Sequence, residues 1–207
     1  DIEHISEIAA FGIPIVFFDR VCENFPTTKI TTNDTESTCL GTELLIKQGC
    51  KRIAFMHVLE DFSIGRRRYQ GYLQALEKNE YKLDESLIIK CTQDYDGNYK
   101  LLKKLLQSKN RPDAIMSPVE KMAITAYYVC EELSINIPKD IKIISFSALT
   151  FASLLSPSLT TITPPGYEMG EKAATLLINS LEKKKYKLYN EEIMIPSTIN
   201  QRSSTAN

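Results

Sequence analysis

Short apolar runs that alternate with helix-type patterns limit this chain to a narrow set of folds. Several of the runs lack polar alternation, which suits strands that are buried on both faces, as in a parallel sheet. The extended segments that these runs predict are 13–18, 29–32, 52–58, 87–89, 114–116, 141–146, 159–162 and 193–195. Between them, apolar residues recur at helical spacing, as in Tyr69, Tyr72, Leu73 and Leu76. This alternation predicts an α/β fold with doubly wound parallel sheets.

Local signals mark the ends of several predicted helices. Asn33-Asp34-Thr35-Glu36 resembles a capping box and predicts a helix start, and Gly49 predicts the end of the same helix. A last helix carries apolar residues from Met169 to Leu181, and a last strand follows it. The residues beyond that strand are interpreted as a polar tail.

Bulk composition excludes several classes of protein. The chain has 207 residues, 43% of them hydrophobic, with a net charge of −1 and no basic face that would indicate nucleic-acid binding by the chain itself. Its five cysteines are odd in number and contain no C-x-x-C pair, so we expect reduced core residues of a cytoplasmic protein, with no metal site. No window is long and apolar enough for a membrane span, and no signal peptide is evident. Because the chain opens without a methionine, we expect it to be a fragment of something longer.

Three consecutive arginines, Arg66, Arg67 and Arg68, fall at the start of a predicted helix. Cations at a helix N-terminus oppose the macrodipole and repel one another, so an acidic or hydrogen-bonding partner must compensate them. One interpretation is solvation or pairing with Glu60 and Asp61. The other is that the arginines face a ligand.

Polar residues follow the carboxyl ends of several predicted strands, where open α/β sheets bind their ligands. These residues are Asp19, Asn33, Arg68, Ser117, Glu120 and Ser147. Each of them alone is weak evidence, and for Asn33 and Ser117 a helix cap is the simpler interpretation. Together they predict one cleft lined by polar side chains.

The sequence contains few residues or motifs that are typical of a catalytic site. The chain has two histidines, and His57 lies inside an apolar strand, where a core imidazole is the simpler interpretation. No G-x-S-x-G, Walker-type or G-x-G-x-x-G motif occurs. Ligand binding is therefore favoured over catalysis, and no cofactor is implied.

Nine segments, in order along the chain, resemble the effector-binding domain of lactose-repressor-type (LacI/GalR) transcription regulators. They are GIPIVFFDR (12–20), LLIKQG (44–49), KRIA (51–54), RYQGYLQAL (68–76), RPDAI (111–115), MAI (122–124), IPKD (137–140), SPSLTTI (156–162) and YEMG (167–170). That family shares its fold with periplasmic sugar-binding proteins. The resemblance covers nearly the whole chain.

The resemblance implies two α/β lobes with a small sugar-like effector between them. Residues 1–30 and 163–190 match part of the DNA-proximal lobe, and residues 31–162 and 191–203 match the distal lobe. The effector would allosterically control a helix-turn-helix that precedes this chain and contacts operator DNA. Family members are cytoplasmic homodimers and are neither enzymes nor membrane proteins. Without the rest of its first lobe, the fragment is expected to self-associate. The alternatives are a periplasmic-type solute receptor that serves a transporter and an enzyme on the same scaffold.

By the same resemblance, Arg68 matches a ligand-gripping arginine, Asp19 a carboxylate at the end of a first-lobe strand, and Tyr95 an aromatic that stacks on the ligand. The other predicted ligand-binding residues are Thr32, Asn33, Glu120 and Ser147. The chain departs from the family where Asp-Asn, Asn-Asp and Gly-Phe-Asp-Asp are usual, with Asn33-Asp34, Val119-Glu120 and the segment 145–148 (SFSA) respectively. Fewer acids around Arg68 suggest an anionic ligand such as a uronate or phosphate, unless Glu120 neutralises the arginine.

Overall fold

Two separate β-sheets organise the chain, which the computed structural model describes over residues 2–58, 62–92, 94–183 and 186–206. The strands are β1 (Phe17–Phe18), β2 (Lys29–Thr31), β3 (Ile53–His57), β4 (Ile88–Lys90), β5 (Ala114–Ser117), β6 (Lys142–Phe146), β7 (Thr160–Thr163), β8 (Glu192–Met194) and β9 (Thr198–Asn200). The helices are α1 (Ile2–Ala10), α2 (Asp34–Lys47), α3 (Ser63–Lys78), α4 (Tyr95–Leu106), α5 (Glu120–Glu132) and α6 (Gly166–Glu182). Short 3-10 turns lie at Glu85–Leu87, Thr150–Leu154 and Ser203–Thr205. In the described residues, no helix is both long and apolar enough to cross a membrane.

The larger sheet has the strand order β4-β3-β5-β6-β7-β9, and its first five strands are parallel. Successive residues of β3 pack on opposite faces, as the alternation of a strand requires. Ile53 and Phe55 pack with α2 and α3, whereas Ala54 and Met56 pack with α4 and α5. Helices therefore cover both faces, which confirms the predicted doubly wound architecture.

The smaller sheet has the order β1-β2-β8, and all its pairs are parallel. Helix α6 covers it through Met169, Ala173 and Leu176, which pack on Ile30. We call the body built on this sheet lobe 1 and the body built on the larger sheet lobe 2. Because β8 hydrogen-bonds to β2, residues 192–194 belong to lobe 1, so the predicted boundary at residue 190 is placed too early.

The prediction of a long buried strand at 13–18 is wrong in extent. Only Phe17 and Phe18 form β1, and the side chains of Ile13 and Phe18 are about half exposed. The reason is that β1 is an edge strand, and in the described residues it hydrogen-bonds to β2 alone. Its apolar run therefore lacks the second neighbour that a central strand would have.

The segment interpreted as a polar tail is part of the core instead. Strand β9 pairs antiparallel with β7, and the following turn is buried beside it. Ser204 Oγ donates a hydrogen bond of 2.6 Å to the carbonyl of Ile143 and accepts one of 2.8 Å from the amide of Thr160. Hydrogen bonds satisfy these buried hydroxyls, so a polar sequence can pack inside the protein.

Candidate functional site

A cleft of about 670 Å³ lies between the two lobes, at the carboxyl ends of β1, β3, β5 and β6. Five of the seven predicted ligand-binding residues line it, namely Asp19, Arg68, Tyr95, Glu120 and Ser147. Asp19 comes from lobe 1 and the other four come from lobe 2. The cleft therefore presents side chains of both lobes to the same space.

Arg68 is the most firmly held side chain of the cleft. Its Nε donates a 2.7 Å hydrogen bond to Oδ1 of Asp34, and its Nη1 donates one of 2.5 Å to the carbonyl of Pro118. The guanidinium carbon lies 3.7 Å from the ring centroid of Phe146, which gives a cation–π contact. Within the described part of the chain, Nη2 makes no hydrogen bond, so its donors are available to a ligand.

The Arg68–Asp34 ion pair is almost fully buried, with side-chain exposures of 7% and 4%. Burial lowers the pKa of Arg68, while the carboxylate of Asp34 acts against that shift. Burial likewise raises the pKa of Asp34, which Arg68 partly offsets. An arginine stays charged even so, and its fixed donors are well suited to orient a bound hydroxyl or carbonyl oxygen.

Glu120 does not neutralise Arg68. Its carboxylate accepts a 2.9 Å hydrogen bond from Ser147 Oγ, which in turn accepts one of 3.1 Å from the amide of Leu149. The counter-ion of Arg68 is Asp34 instead, a residue that sequence reasoning did not place at the site. Asp34 opens α2, so its position in the sequence indicates a helix start rather than a partner of a residue 34 positions further on.

Tyr95 and its neighbours line the part of the cleft beside the start of helix α4. The half-buried Tyr95 opens α4, and Lys121 Nζ lies 5.5 Å from its ring centroid. Asn98, one turn further along α4, is buried and bonds both the amide (2.9 Å) and the carbonyl (2.8 Å) of Thr92. Asn98 therefore fixes the loop that carries Thr92 into the cleft, a role with no signal in the sequence.

The charged residues that line the cleft balance. Lobe 1 contributes Asp19 and Arg20, and lobe 2 contributes Glu120 and Lys121. The fifth charge, Arg68, has Asp34 directly behind it. Arg20 and Lys121 were not predicted as site residues, although each is next to one that was. Since acids and bases cancel, the cleft carries no excess charge that would demand an ionic ligand.

Two predicted ligand-binding residues lie elsewhere. Thr32 and Asn33 border a second hollow of about 490 Å³ beside Arg67 and Glu192. Asn33 Oδ1 accepts hydrogen bonds from Ser37 Oγ (2.7 Å) and the amide of Ser197 (2.8 Å), and Asn33 Nδ2 donates one of 2.9 Å to Glu36. These bonds tie the β2–α2 connection to the segment between β8 and β9. The predicted capping box is also absent from the described residues, because Asn33 makes no side-chain bond to the helix N–H groups.

Comparison with known proteins identifies a family with this architecture. Residues 42–205 match the family model described as a periplasmic binding protein-like domain. The chain is 26% identical over 204 residues to catabolite control protein A of Priestia megaterium and 29% identical over 201 residues to the ribose operon repressor of Halalkalibacterium halodurans. It covers 61% and 59% of those two proteins, respectively, so it spans about three-fifths of their length.

A solved structure gives the same result for the fold. The LacI-family transcriptional regulator from Enterococcus faecium with bound ribose superposes with a TM-score of 0.88, at 24% identity. The match covers 100% of this chain and 76% of that one. The predicted resemblance to lactose-repressor-type regulators is thus confirmed. The chain belongs to the family of periplasmic binding protein-like domains.

Proposed function

We propose that this chain is the effector-sensing domain of a lactose-repressor-type transcription regulator. The observation that carries the proposal is the buried, anchored Arg68, which lines the interlobe cleft opposite Asp19 of lobe 1. A ligand that engages both side chains would join the lobes and favour their closed arrangement. Closure would then alter how a helix-turn-helix outside this chain meets operator DNA.

The ligand class that fits the cleft best is an uncharged polyhydroxy compound, such as a sugar. Arg68 and Asp19 offer donors and acceptors to hydroxyl groups, and Tyr95 offers an aromatic face to the apolar side of a sugar ring. The names of two similar proteins, a ribose operon repressor and a regulator with bound ribose, agree with this class. An anionic ligand loses its support because Asp34 already compensates Arg68.

A thermal-shift screen tests this proposal. Ribose, glucose, galactose, glucuronate and glucose 6-phosphate would each be added to the purified chain, and any hit titrated by calorimetry. We expect an uncharged sugar to raise the unfolding temperature, because a ligand that binds the folded state stabilises it. A shift with the uronate or the phosphate ester alone would overturn the ligand class.

The role of Arg68 needs a variant that still folds. In the double variant Asp34→Leu/Arg68→Met, both members of the buried pair are replaced by apolar groups, so no unpaired charge remains. We expect its sugar affinity to fall by about 10- to 150-fold, the loss of a charged hydrogen bond of about 1.5–3 kcal/mol. Arg52→Met, which changes an arginine outside the cleft, is the control. Equal affinity in the double variant and the control would remove Arg68 from the site.

We also propose that the domain forms a homodimer through an apolar face of lobe 2. Three large side chains are exposed there: Tyr128 of α5 (56%), Phe151 (45%) and Leu154 (82%) of the nearby 3-10 turn. Tyr128 lines a hollow of about 460 Å³ together with Ile124 and Leu155, the residue that follows Leu154. Large apolar side chains that are exposed close together are typical of a protein–protein contact.

The homodimer proposal predicts that Leu154→Glu weakens self-association by about 30-fold or more, since the few residues that dominate an interface each contribute about 2 kcal/mol or more. Sedimentation equilibrium measures the dissociation constant. Leu101→Glu, which puts the same charge on an exposed leucine of α4, should leave the constant unchanged. If both variants associate like the wild type, the contact lies on another face.

A further inference from the structure

The two arginines before Arg68 connect helix α3 to lobe 1. Arg66 Nη2 lies 2.6 Å from Oε2 of Glu23, in the loop between β1 and β2. Arg67 Nη2 lies 3.4 Å from Oε1 of the same glutamate. The Arg67 guanidinium also forms a bidentate ion pair with the carboxylate of Glu192 in β8. The sequence predicted that acidic or hydrogen-bonding partners compensate the arginines at this helix start. Glu23 and Glu192, both from the other lobe, are such partners; the proposed partners Glu60 and Asp61 lie outside the described residues.

Two further contacts strengthen the same junction. Glu192 Oε1 also accepts a 2.6 Å hydrogen bond from Thr31 Oγ1, which holds the carboxylate in place on the smaller sheet. The hydrogen bond from Arg67 lowers the pKa of Glu192, so this carboxylate stays charged at neutral pH. Arg20 of lobe 1 lies over the ring of Phe62, the residue before α3, at 5.7 Å from its centroid.

These ion pairs have the properties of a reversible contact rather than of a permanent one. The side chains of Arg66, Glu23 and Glu192 are between about one-third and one-half exposed, and that of Arg67 is about one-quarter exposed. Exposed ion pairs are individually weak and are screened by salt, so they can break without unfolding either lobe. Arg68, the next residue along α3, lines the cleft itself.

We propose that Arg66 and Arg67, with Glu23 and Glu192, form an electrostatic latch between the lobes that sets how much of the population is closed. The latch joins lobe 1 to the helix turn that also presents Arg68, so closing the latch brings Asp19 and Arg68 to the same ligand. The apparent dissociation constant equals the intrinsic one divided by the fraction of molecules that are competent to bind, so the latch strengthens binding by raising that fraction. This last step rests on the proposed function; the latch itself does not.

Scattering and hydrogen exchange without ligand test the latch. The 207-residue chain is compared with the double variant Arg66→Gln/Arg67→Gln and with Lys103→Gln, which disrupts an ion pair inside lobe 2. Each is measured by small-angle X-ray scattering from about 0.1 M to about 1 M NaCl, where the Debye length falls from about 10 Å to about 3 Å.

We expect the wild type and Lys103→Gln to expand as salt rises, and the double variant to be expanded already at low salt. Amides of residues 19–28 and 191–195 should exchange about threefold faster or more in the double variant. The charge-swapped variant Arg67→Glu/Glu192→Arg, which keeps an ion pair at this position, should retain the compact form and the slow exchange of the wild type. A double variant with the same radius of gyration and the same exchange as the wild type overturns the latch.

Ribose binding provides an independent arm. If the wild type binds ribose, the double variant should bind it about three- to fivefold more weakly, because fewer molecules are closed. Equal affinity in the two proteins would overturn the control of binding by the latch. Failure of all sugars to bind the wild type would count against the proposed function, whereas the scattering comparison would still decide whether the latch exists.

Discussion

Replacing Arg68 alone with methionine is expected to destabilise the fold by about 3–5 kcal/mol, because the change leaves the carboxylate of Asp34 buried without its counter-ion. Both side chains of the pair are more than nine-tenths buried, and their atoms are 2.7 Å apart. Urea unfolding at neutral pH measures the free energy. The deficit should shrink on acidification, since burial already raises the pKa of Asp34 and a protonated carboxyl carries no charge to bury.

The matched control is Arg52→Met, which breaks a pair with Asp84 whose side chains are 37% and 39% exposed. An exposed pair contributes about 1 kcal/mol or less, so this variant should stay close to the wild type. The double variant Asp34→Leu/Arg68→Met should recover much of the loss of the single one, because no charge is left buried. If Arg68→Met were as stable as Arg52→Met, the pair could not be the buried anchor of the cleft.

Gly71→Ala should cost about 3 kcal/mol, because helices α2 and α3 leave no room for a methyl group between them. A Cβ at this position would lie 2.2 Å from the backbone oxygen of Thr35 and 2.8 Å from Cβ of Thr38. The nearer obstacle is backbone, so the two helices would have to move apart. Since α3 carries Arg68 and α2 carries Asp34, that movement would also disturb the buried ion pair.

Gly170→Ala is the control for Gly71→Ala. Gly170 lies in α6, and a Cβ there would meet nothing within 4 Å. Alanine should therefore stabilise the helix by about 0.5–1 kcal/mol, as it does at ordinary helical positions. Equal stability of the two variants, measured by chemical unfolding, would show that α2 and α3 are not in such close contact.

The sequence predicts the large sheet well because its strands are short, apolar and separated by periodic helices. It also predicts much of the cleft, since the rule that ligands lie at the carboxyl ends of parallel strands brings Asp19, Arg68, Glu120 and Ser147 together. The rule misplaces Ser117, which is fully buried and donates a hydrogen bond to the carbonyl of Val119. It also misplaces Asn33, which likewise follows a strand. The reason is that β2 belongs to the smaller sheet, and the chain crosses between the lobes at Thr32 and Asn33, away from the cleft.

Other features depend on tertiary contacts that no local pattern reports. Asp34 is typical of a helix start until its partner on α3 is known, and Asn98 is an ordinary polar residue until its bonds to Thr92 are seen. The same holds for Glu23 and Glu192, which balance the arginines from the opposite lobe. Strand β9 is only three residues long, too short for hydrophobic alternation to reveal it, and its place in the sheet follows from pairing with β7.

The central claim is that a small polyhydroxy ligand binds between the lobes, and a crystal structure of the chain with the strongest sugar from the thermal-shift screen tests it most directly. We predict electron density for the sugar in the interlobe cleft, with a ring face on Tyr95, a hydroxyl on Arg68 and a contact with Asp19 of lobe 1. Density in the hollow beside Thr32 and Glu192, or on the outer surface of one lobe, would contradict that claim.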